Sequence, residues 1–331
     1  MSLPSLRWIR RRFPEAEIVV AARPWVADLY RGETAIDRVL PYEGKPGAGG
    51  WAAKWRFARV LRSERFDWAI LLQNAFEAAL LARVAGIPRR VGYDRDGRGW
   101  LLTDPIPVPR RGEIPRHERF YYLELLRRAG LAPEQAEEPD AIRLEGAGAA
   151  RQAGEAALRR LSIRPPVVGV SPGAAYGGAK RWLPEHFAEA AGRLAASLGG
   201  SVALFGSAAE RGVCATIASA IGAAGCPAHV LAGSTTLGQF IELAAACRLF
   251  LTNDSGAMHI ASALGVPTVA IFGSTDHEAT GPTGPLARVV REPVDCSPCL
   301  LRECPIDHRC MTRIPPGRVE EVANDLLRAR L

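Results

Sequence analysis

Residues 248–273 restrict the fold more than any other stretch of the chain. The apolar run Arg248-Leu249-Phe250-Leu251 reads as a buried strand and ends on Thr252-Asn253-Asp254-Ser255-Gly256. A short helical stretch through Met258, His259 and Ala263 follows, and Val266 to Phe272 is again strand-like. Strand, helix and strand in so few residues make a βαβ unit, whose two strands must run parallel in one sheet. Asp254 or Ser255 can cap the helix, and Gly256 lets backbone approach a ligand. A helix N-terminus at the carboxyl end of a parallel strand presents open N–H groups and a positive dipole end, which suits a phosphate. His259, one turn in, can donate a proton or hydrogen bond to the same anion. Alone, the segment reads equally well as an ordinary capped helix in a parallel sheet.

The alternation recurs along the chain. Strands are expected at 167–170, 201–205, 229–231, 249–252 and 268–272, with helices at 184–197, 208–223, 236–246 and 255–264. Earlier, helices are expected at 3–12, 51–64, 75–85 and 117–129, strands at 17–21, 67–72 and 90–93, and a loop at 103–116. An acidic, weakly patterned stretch, 131–147, leads into a helix at 148–161. This spacing specifies an α/β fold with doubly wound parallel sheets. The 331 residues suffice for two Rossmann-like domains, 1–162 and 163–331, with an interdomain cleft and a terminal helix at 317–330 packing back on the first domain. The chain opens on a helix where a doubly wound domain ordinarily has its central strand, so the first strand of the N-terminal domain is expected to be missing.

No apolar run approaches the roughly 18 residues needed to span a bilayer. Arg7, Arg10, Arg11 and Arg12 interrupt the start, where a signal peptide would carry an apolar stretch. The expected compartment is the cytoplasm. The net charge is +7, and the clusters Arg10-Arg11-Arg12, Arg89-Arg90 with Arg95 and Arg98, and Arg110-Arg111 with Arg116 all fall in the first half. Such a bias suits an acidic partner, whether a phosphorylated lipid, an anionic membrane surface or a nucleic acid. No aromatic-interleaved or zinc-finger pattern supports nucleic acid.

Further strand ends carry small residues. Val170-Ser171-Pro172-Gly173 precedes Lys180-Arg181-Trp182, so that Lys180 can return an ammonium over a bound phosphate. Leu204-Phe205-Gly206-Ser207 with Glu210 suits an adenosine pocket, and Leu231-Ala232-Gly233-Ser234 is a fourth such turn. Each is weak alone. Four in one domain favour a nucleotide site.

The order of these motifs resembles glycosyltransferase family 9, the ADP-heptose:lipopolysaccharide heptosyltransferases, and most closely its heptosyltransferase II branch. The carriers are Ser171-Pro172-Gly173 with Lys180-Arg181-Trp182, Thr252-Asn253-Asp254-Ser255-Gly256 with Met258-His259, and Phe272-Gly273-Ser274-Thr275-Asp276 with Thr280-Gly281-Pro282. Cys296-Ser297-Pro298-Cys299 with Arg302-Glu303-Cys304-Pro305 and Cys310-Met311 adds to them. The resemblance implies a GT-B architecture, acceptor on the first domain and ADP-heptose on the second, and inverting heptose transfer to the lipopolysaccharide inner core. Lys180, Asp254 and His259 are implied as catalytic. Ser171, Gly173, Lys180, Gly206, Ser207, Glu210, Asp254, Ser255, Gly256 and His259 are implied around the donor. No cofactor and no divalent metal is required, since a lysine and a helix dipole can stabilise the departing ADP. The implied protein is a monomer that touches the inner face of the inner membrane and binds no nucleic acid.

One departure stands out. Family members begin with an apolar strand ending in Gly-Asp, whose Asp is the implied general base. Here the sequence begins at the following helix, so an upstream coding segment is expected, with a truncated, non-catalytic nucleotide-binding protein as the alternative. A heptosyltransferase I-like or other family acceptor, and a sugar-nucleotide epimerase, also stay open. Cys296, Cys299, Cys304 and Cys310, with His308 nearby, have the ligand types for structural zinc but not the paired spacing, and reduced thiols in a packed loop are the first expectation.

Overall fold

The computed structural model describes residues 1–44, 50–133 and 141–329. Part of the acidic stretch, 134–140, lies outside them, as does the end of the chain at 330–331. The chain divides into two compact units, Met1–Tyr30 with Thr34–Pro139, and Arg31–Glu33 with Asp140–Leu331.

The first unit contains α1 (Leu3–Arg12), β1 (Val19–Ala22), β2 (Arg38–Pro41), α2 (Trp51–Glu64), β3 (Trp68–Leu71), α3 (Phe76–Val84), β4 (Arg89–Tyr93), β5 (Asp104–Ile106) and α4 (Glu118–Arg128). Its strands form two separate parallel sheets, β1-β2 and β3-β4-β5. β5 falls inside the predicted loop 103–116. Pro105 hides it from a reading of the sequence, yet it lies on a sheet edge, where a proline is tolerated.

The second unit contains α5 (Ala147–Arg160), β6 (Val167–Ser171), α6 (Pro184–Ser197), β7 (Ser201–Leu204), α7 (Arg211–Ala223), β8 (Ala228–Val230), α8 (Leu237–Ala245), β9 (Leu249–Asn253), α9 (Gly256–Ala263), β10 (Thr268–Phe272), α10 (His277–Thr280), β11 (Ala287–Arg291), α11 (Arg309–Thr312) and α12 (Pro316–Arg328). One parallel sheet runs β11-β10-β9-β6-β7-β8. Val168, Val170, Leu204, Leu249, Leu251 and Ile271 are fully buried among its helices, as strands covered on both faces require. α5, which the sequence places ahead of the domain boundary, packs on α8 here. Gly154 permits it, because a Cβ at that position would collide with the Glu242 carbonyl. α12 packs against α6, β10 and β11, within the second unit.

Strand order changes direction between β6 and β9. β7 and β8 extend the sheet on one side of this pair, β10 and β11 on the other. A doubly wound sheet opens a crevice for ligands at the carboxyl ends of such a pair. Ser171 and Thr252 sit side by side in register at those ends.

Candidate functional site

Two strand ends and one turn meet at this switch point. After β6 the chain passes through Ser171-Pro172-Gly173 and, by a tight 3-10 turn at Gly178–Lys180, brings Lys180 back over β9. The Lys180 ammonium lies 2.6 Å from Oδ2 of Asp254, and the Thr275 hydroxyl donates to the same oxygen at 2.7 Å. The Asp254 side chain is only 5% exposed and that of Lys180 14%, so the pair is held in a setting where charge is weakly screened. The Lys180 ammonium also lies 4.9 Å from the ring centre of Tyr176, a cation–π distance.

Asn253 locks the two strand ends together. Its amide donates to the Pro172 carbonyl at 2.7 Å, and its side-chain oxygen accepts from the Trp182 N–H at 3.0 Å. Trp182 is itself buried, and its indole N–H donates to the Ile314 carbonyl at 3.1 Å. The approach of Lys180 to Asp254 is thus fixed on both sides by buried hydrogen bonds.

α9 starts at this point with no side-chain cap. Ser255 is its N-cap residue, but the Ser255 hydroxyl lies 3.2 Å from that of Thr252 instead of turning onto the helix backbone. The first turn of α9 therefore begins without a capping side chain, beside the half-buried Lys180 ammonium. A Cβ on Gly256 would meet nothing within 4 Å. The arrangement combines a helix N-terminus and a cation, both suited to a phosphate or diphosphate.

The third strand end is organised by Glu210. Its carboxylate accepts from the Ser207 N–H at 2.7 Å and from the Ser207 hydroxyl at 2.9 Å, a reciprocal cap that closes the turn after β7. The same carboxylate covers Gly173, where a Cβ would collide with it. Here the small residue after β6 makes room for Glu210.

With this geometry in hand, comparison with known proteins is decisive. Residues 54–309 match the model of glycosyltransferase family 9 (heptosyltransferase). The chain belongs to this family. Among relatives of this family 9 chain, the lipopolysaccharide heptosyltransferase 2 of Escherichia coli K12 is 33% identical over 99% of this chain and 94% of its own length. That of Salmonella typhimurium LT2 is 34% identical over 88% of this chain and 84% of its own. The solved E. coli ADP-heptose LPS heptosyltransferase II superposes with a TM-score of 0.80 at 31% identity, covering 99% of this chain and 95% of that one. The α/β fold with parallel sheets expected from the sequence is that of these family 9 enzymes.

Of the residues singled out by sequence, Ser171, Gly173, Lys180, Asp254, Ser255 and Gly256 gather at the switch point. Gly206, Ser207 and Glu210 line the adjoining strand end, and His259 is half-buried on the first turn of α9. Asn253 and Thr275 lie in the quoted motifs without a role assigned to either, and Tyr176 was not singled out. Thr275 had a signal in the small-residue run after β10. Asn253 and Tyr176 act through long-range contacts that leave no local pattern.

The cysteine loop has a structural part in this family 9 site. Cys296, Cys299, Cys304 and Cys310 line one small pocket of about 70 Å³, yet among the described residues no group of three or more His, Cys, Asp or Glu is arranged to hold a metal ion. Instead, the Arg302 carbonyl accepts from the Ala179 N–H at 2.9 Å, and the Glu303 carboxylate from the Gly178 N–H at 2.9 Å. The Ser297 hydroxyl donates to the Gly273 carbonyl at 2.6 Å, and the Leu300 N–H to that of Ser274 at 2.8 Å. One loop therefore braces both the Lys180 turn and the Thr275 loop from behind.

Proposed function

We propose that this chain is an inverting glycosyltransferase that moves heptose from ADP-heptose to the inner core of lipopolysaccharide, with the second unit taking the donor and the first the acceptor. The observation that carries the donor assignment is the uncapped N-terminus of α9 beside the Lys180–Asp254 pair, at the switch point of the sheet. The relatives named above, at about one-third identity over most of the chain, support the sugar and the acceptor class.

In the transfer an acceptor hydroxyl oxygen bonds to the anomeric carbon. The bond from that carbon to the diphosphate oxygen breaks, its electron pair leaves with ADP, and the hydroxyl proton passes to a base. What the second unit supplies is stabilisation of the negative charge that grows on the leaving diphosphate. Lys180 brings the cation and the first turn of α9, with Ser255 and Gly256, brings N–H groups. His259 adds a donor from the same helix. Asp254 and Thr275 hold the lysine in place, and Asp254 can reach toward the sugar. Ser171, Gly173, Gly206, Ser207 and Glu210 form the nucleoside side of the site. This scheme calls on no divalent ion. The protein works as a cytoplasmic monomer at the inner face of the inner membrane, where a lipid-linked acceptor is presented.

Isotope-labelled ADP-heptose, incubated with lipopolysaccharides truncated at successive inner-core positions, tests the proposal. Label transferred to one truncation supports it and identifies the acceptor. Donor binding without transfer assigns a binding protein instead, and an isomerised sugar nucleotide assigns an epimerase.

A further inference from the structure

The first unit carries an amphipathic helix whose outward face is exposed among the described residues. α2 buries Phe57, Ala58 and Leu61 against Leu81, Ala82, Ala85 and Ile87. On its other side Trp51 and Trp55, one turn apart, are 52% and 55% exposed, and Val60 is 39% exposed. Arg56 and Arg59 stand beside them in solvent, and among the described residues neither has an acidic partner. Scattered apolar side chains on a surface are ordinary. Two tryptophans at helical spacing, interleaved with uncompensated arginines, are less so.

Charge and aromatic content are concentrated in the same part of the chain. Residues 1–139 hold 24 basic and 18 acidic residues, against 18 and 17 in the remainder, which leaves six of the seven net positive charges there. All five exposed tryptophans, Trp25, Trp51, Trp55, Trp68 and Trp100, lie in this unit as well. A tryptophan places an apolar ring and a polar N–H at the depth of lipid headgroups, and arginines next to it are drawn to anionic ones. Protein interfaces also favour Trp and Arg; what favours a bilayer is the net positive charge gathered in this part of the chain, which complements anionic headgroups.

We infer that the outward face of α2, built on Trp51, Trp55, Arg56 and Arg59, docks on an anionic lipid bilayer. This gives the membrane contact proposed above its surface, and it rests on that reading for the choice of a bilayer. The helix lies in the plane of the interface, with the two indoles among the headgroups and the arginines along the phosphates.

The test is co-sedimentation of the full chain with vesicles of phosphatidylglycerol and phosphatidylethanolamine, and with vesicles of phosphatidylcholine alone. The wild type is expected to bind the anionic vesicles, more weakly as salt rises, and to leave phosphatidylcholine largely unbound. The Trp51→Ser/Trp55→Ser variant is expected to lose at least about tenfold in partitioning, and Arg56→Ser and Arg59→Ser about fivefold each, with unchanged circular dichroism melts. Trp100→Ser, at a tryptophan outside α2, serves as the control and is expected to bind as the wild type does. Absence of wild-type binding to anionic vesicles, equal binding by the Trp51/Trp55 variant, or an equal loss in Trp100→Ser would overturn the inference. Heptosyl transfer to an acceptor dispersed in detergent is measured in parallel. Retained transfer with lost vesicle binding separates the two readings, because failure of the transfer proposal would show in detergent as well.

Discussion

Lys180 and Asp254 depend on each other in a way that decides how their variants behave. The carboxylate is almost fully buried, so removing the ammonium at 2.6 Å strands a charge with only Thr275 to hold it. Breaking one side of a buried pair costs about 3–5 kcal/mol, more than the net worth of the intact pair. Lys180→Ala is therefore expected to lower the melting temperature as well as turnover. Lys180→Ala/Asp254→Asn should recover most of the stability while kcat stays down about a hundredfold or more, the scale for losing one transition-state donor. A double variant with wild-type kcat would remove the lysine from the mechanism. Asn253 poses the complementary question, because its side chain touches only protein in this structure. Asn253→Ala leaves the buried Pro172 carbonyl and the Trp182 N–H without their partner. A cost of about 1–3 kcal/mol per unsatisfied group follows, together with a rise in donor KM as the Lys180 turn loosens. Urea melts and initial rates on one preparation check both effects.

At the scale of elements, what the sequence revealed depended on where each element lies in its sheet. β6, β7, β9 and β10 were legible as apolar runs because they are buried on both faces. β2, β5 and β11 were not: each is a sheet edge, where an apolar run is not demanded and prolines such as Pro41 and Pro105 are allowed, although the edges β1, β3 and β8 were still read as strands from their own short apolar runs. The same logic applies to the site. Lys180, Asp254 and Gly256 were legible because small residues after a strand and the start of a helix are local patterns. The roles of Thr275, Asn253 and the bracing carbonyl of Arg302 were not, since their partners lie 21, 81 and 123 residues away. α9 offers a direct test of the helix N-terminus as the phosphate site. A Cβ at Gly256 has open space around it, and alanine favours helix over glycine by about 1 kcal/mol. Gly256→Ala should therefore leave the protein at least as stable. If the diphosphate approaches the first-turn N–H groups, the added methyl will crowd it, and calorimetric ADP affinity is expected to fall about tenfold; unchanged affinity would place the phosphates elsewhere. α4 gives a pH dependence. The Arg127 hydrogen bond, joined by that of Arg128, holds the Glu124 carboxyl below the ordinary glutamate value against the opposing push of burial. A depressed carboxylate contributes its stability above the unfolded value near 4.5 and loses it as pH falls through the lower folded one. Glu124→Gln should therefore cost stability at pH 7 and flatten its decline on the acid side, as melts between pH 7 and pH 3 would show.

The molecule as a whole is uneven in how well its sheets are finished. In the second unit β6 and β9 are hydrogen-bonded on both sides and every residue of each is buried. In the first unit, among the described residues, β1 pairs only with β2 and β3 only with β4, and no residue of β1 or β3 reaches full burial. An open edge leaves backbone groups to solvent, and a half-buried strand contributes less apolar area to hold its remaining hydrogen bonds closed. Local opening should therefore cost far less free energy in β1 and β3 than in β6 and β9, even though all four are parallel strands of similar length. Ligand-free hydrogen exchange followed by mass spectrometry reads this directly. Peptides covering Val19–Ala22 and Trp68–Leu71 are expected to take up deuterium about a hundredfold or more faster than those covering Val167–Ser171 and Leu249–Asn253, a gap of about 3 kcal/mol in opening free energy. If the second unit takes the nucleotide, as proposed, added ADP should protect that unit further and keep the order. Equal protection in the two units would mean that the edges of β1 and β3 are paired in solution, and that the first unit is as well closed as the second.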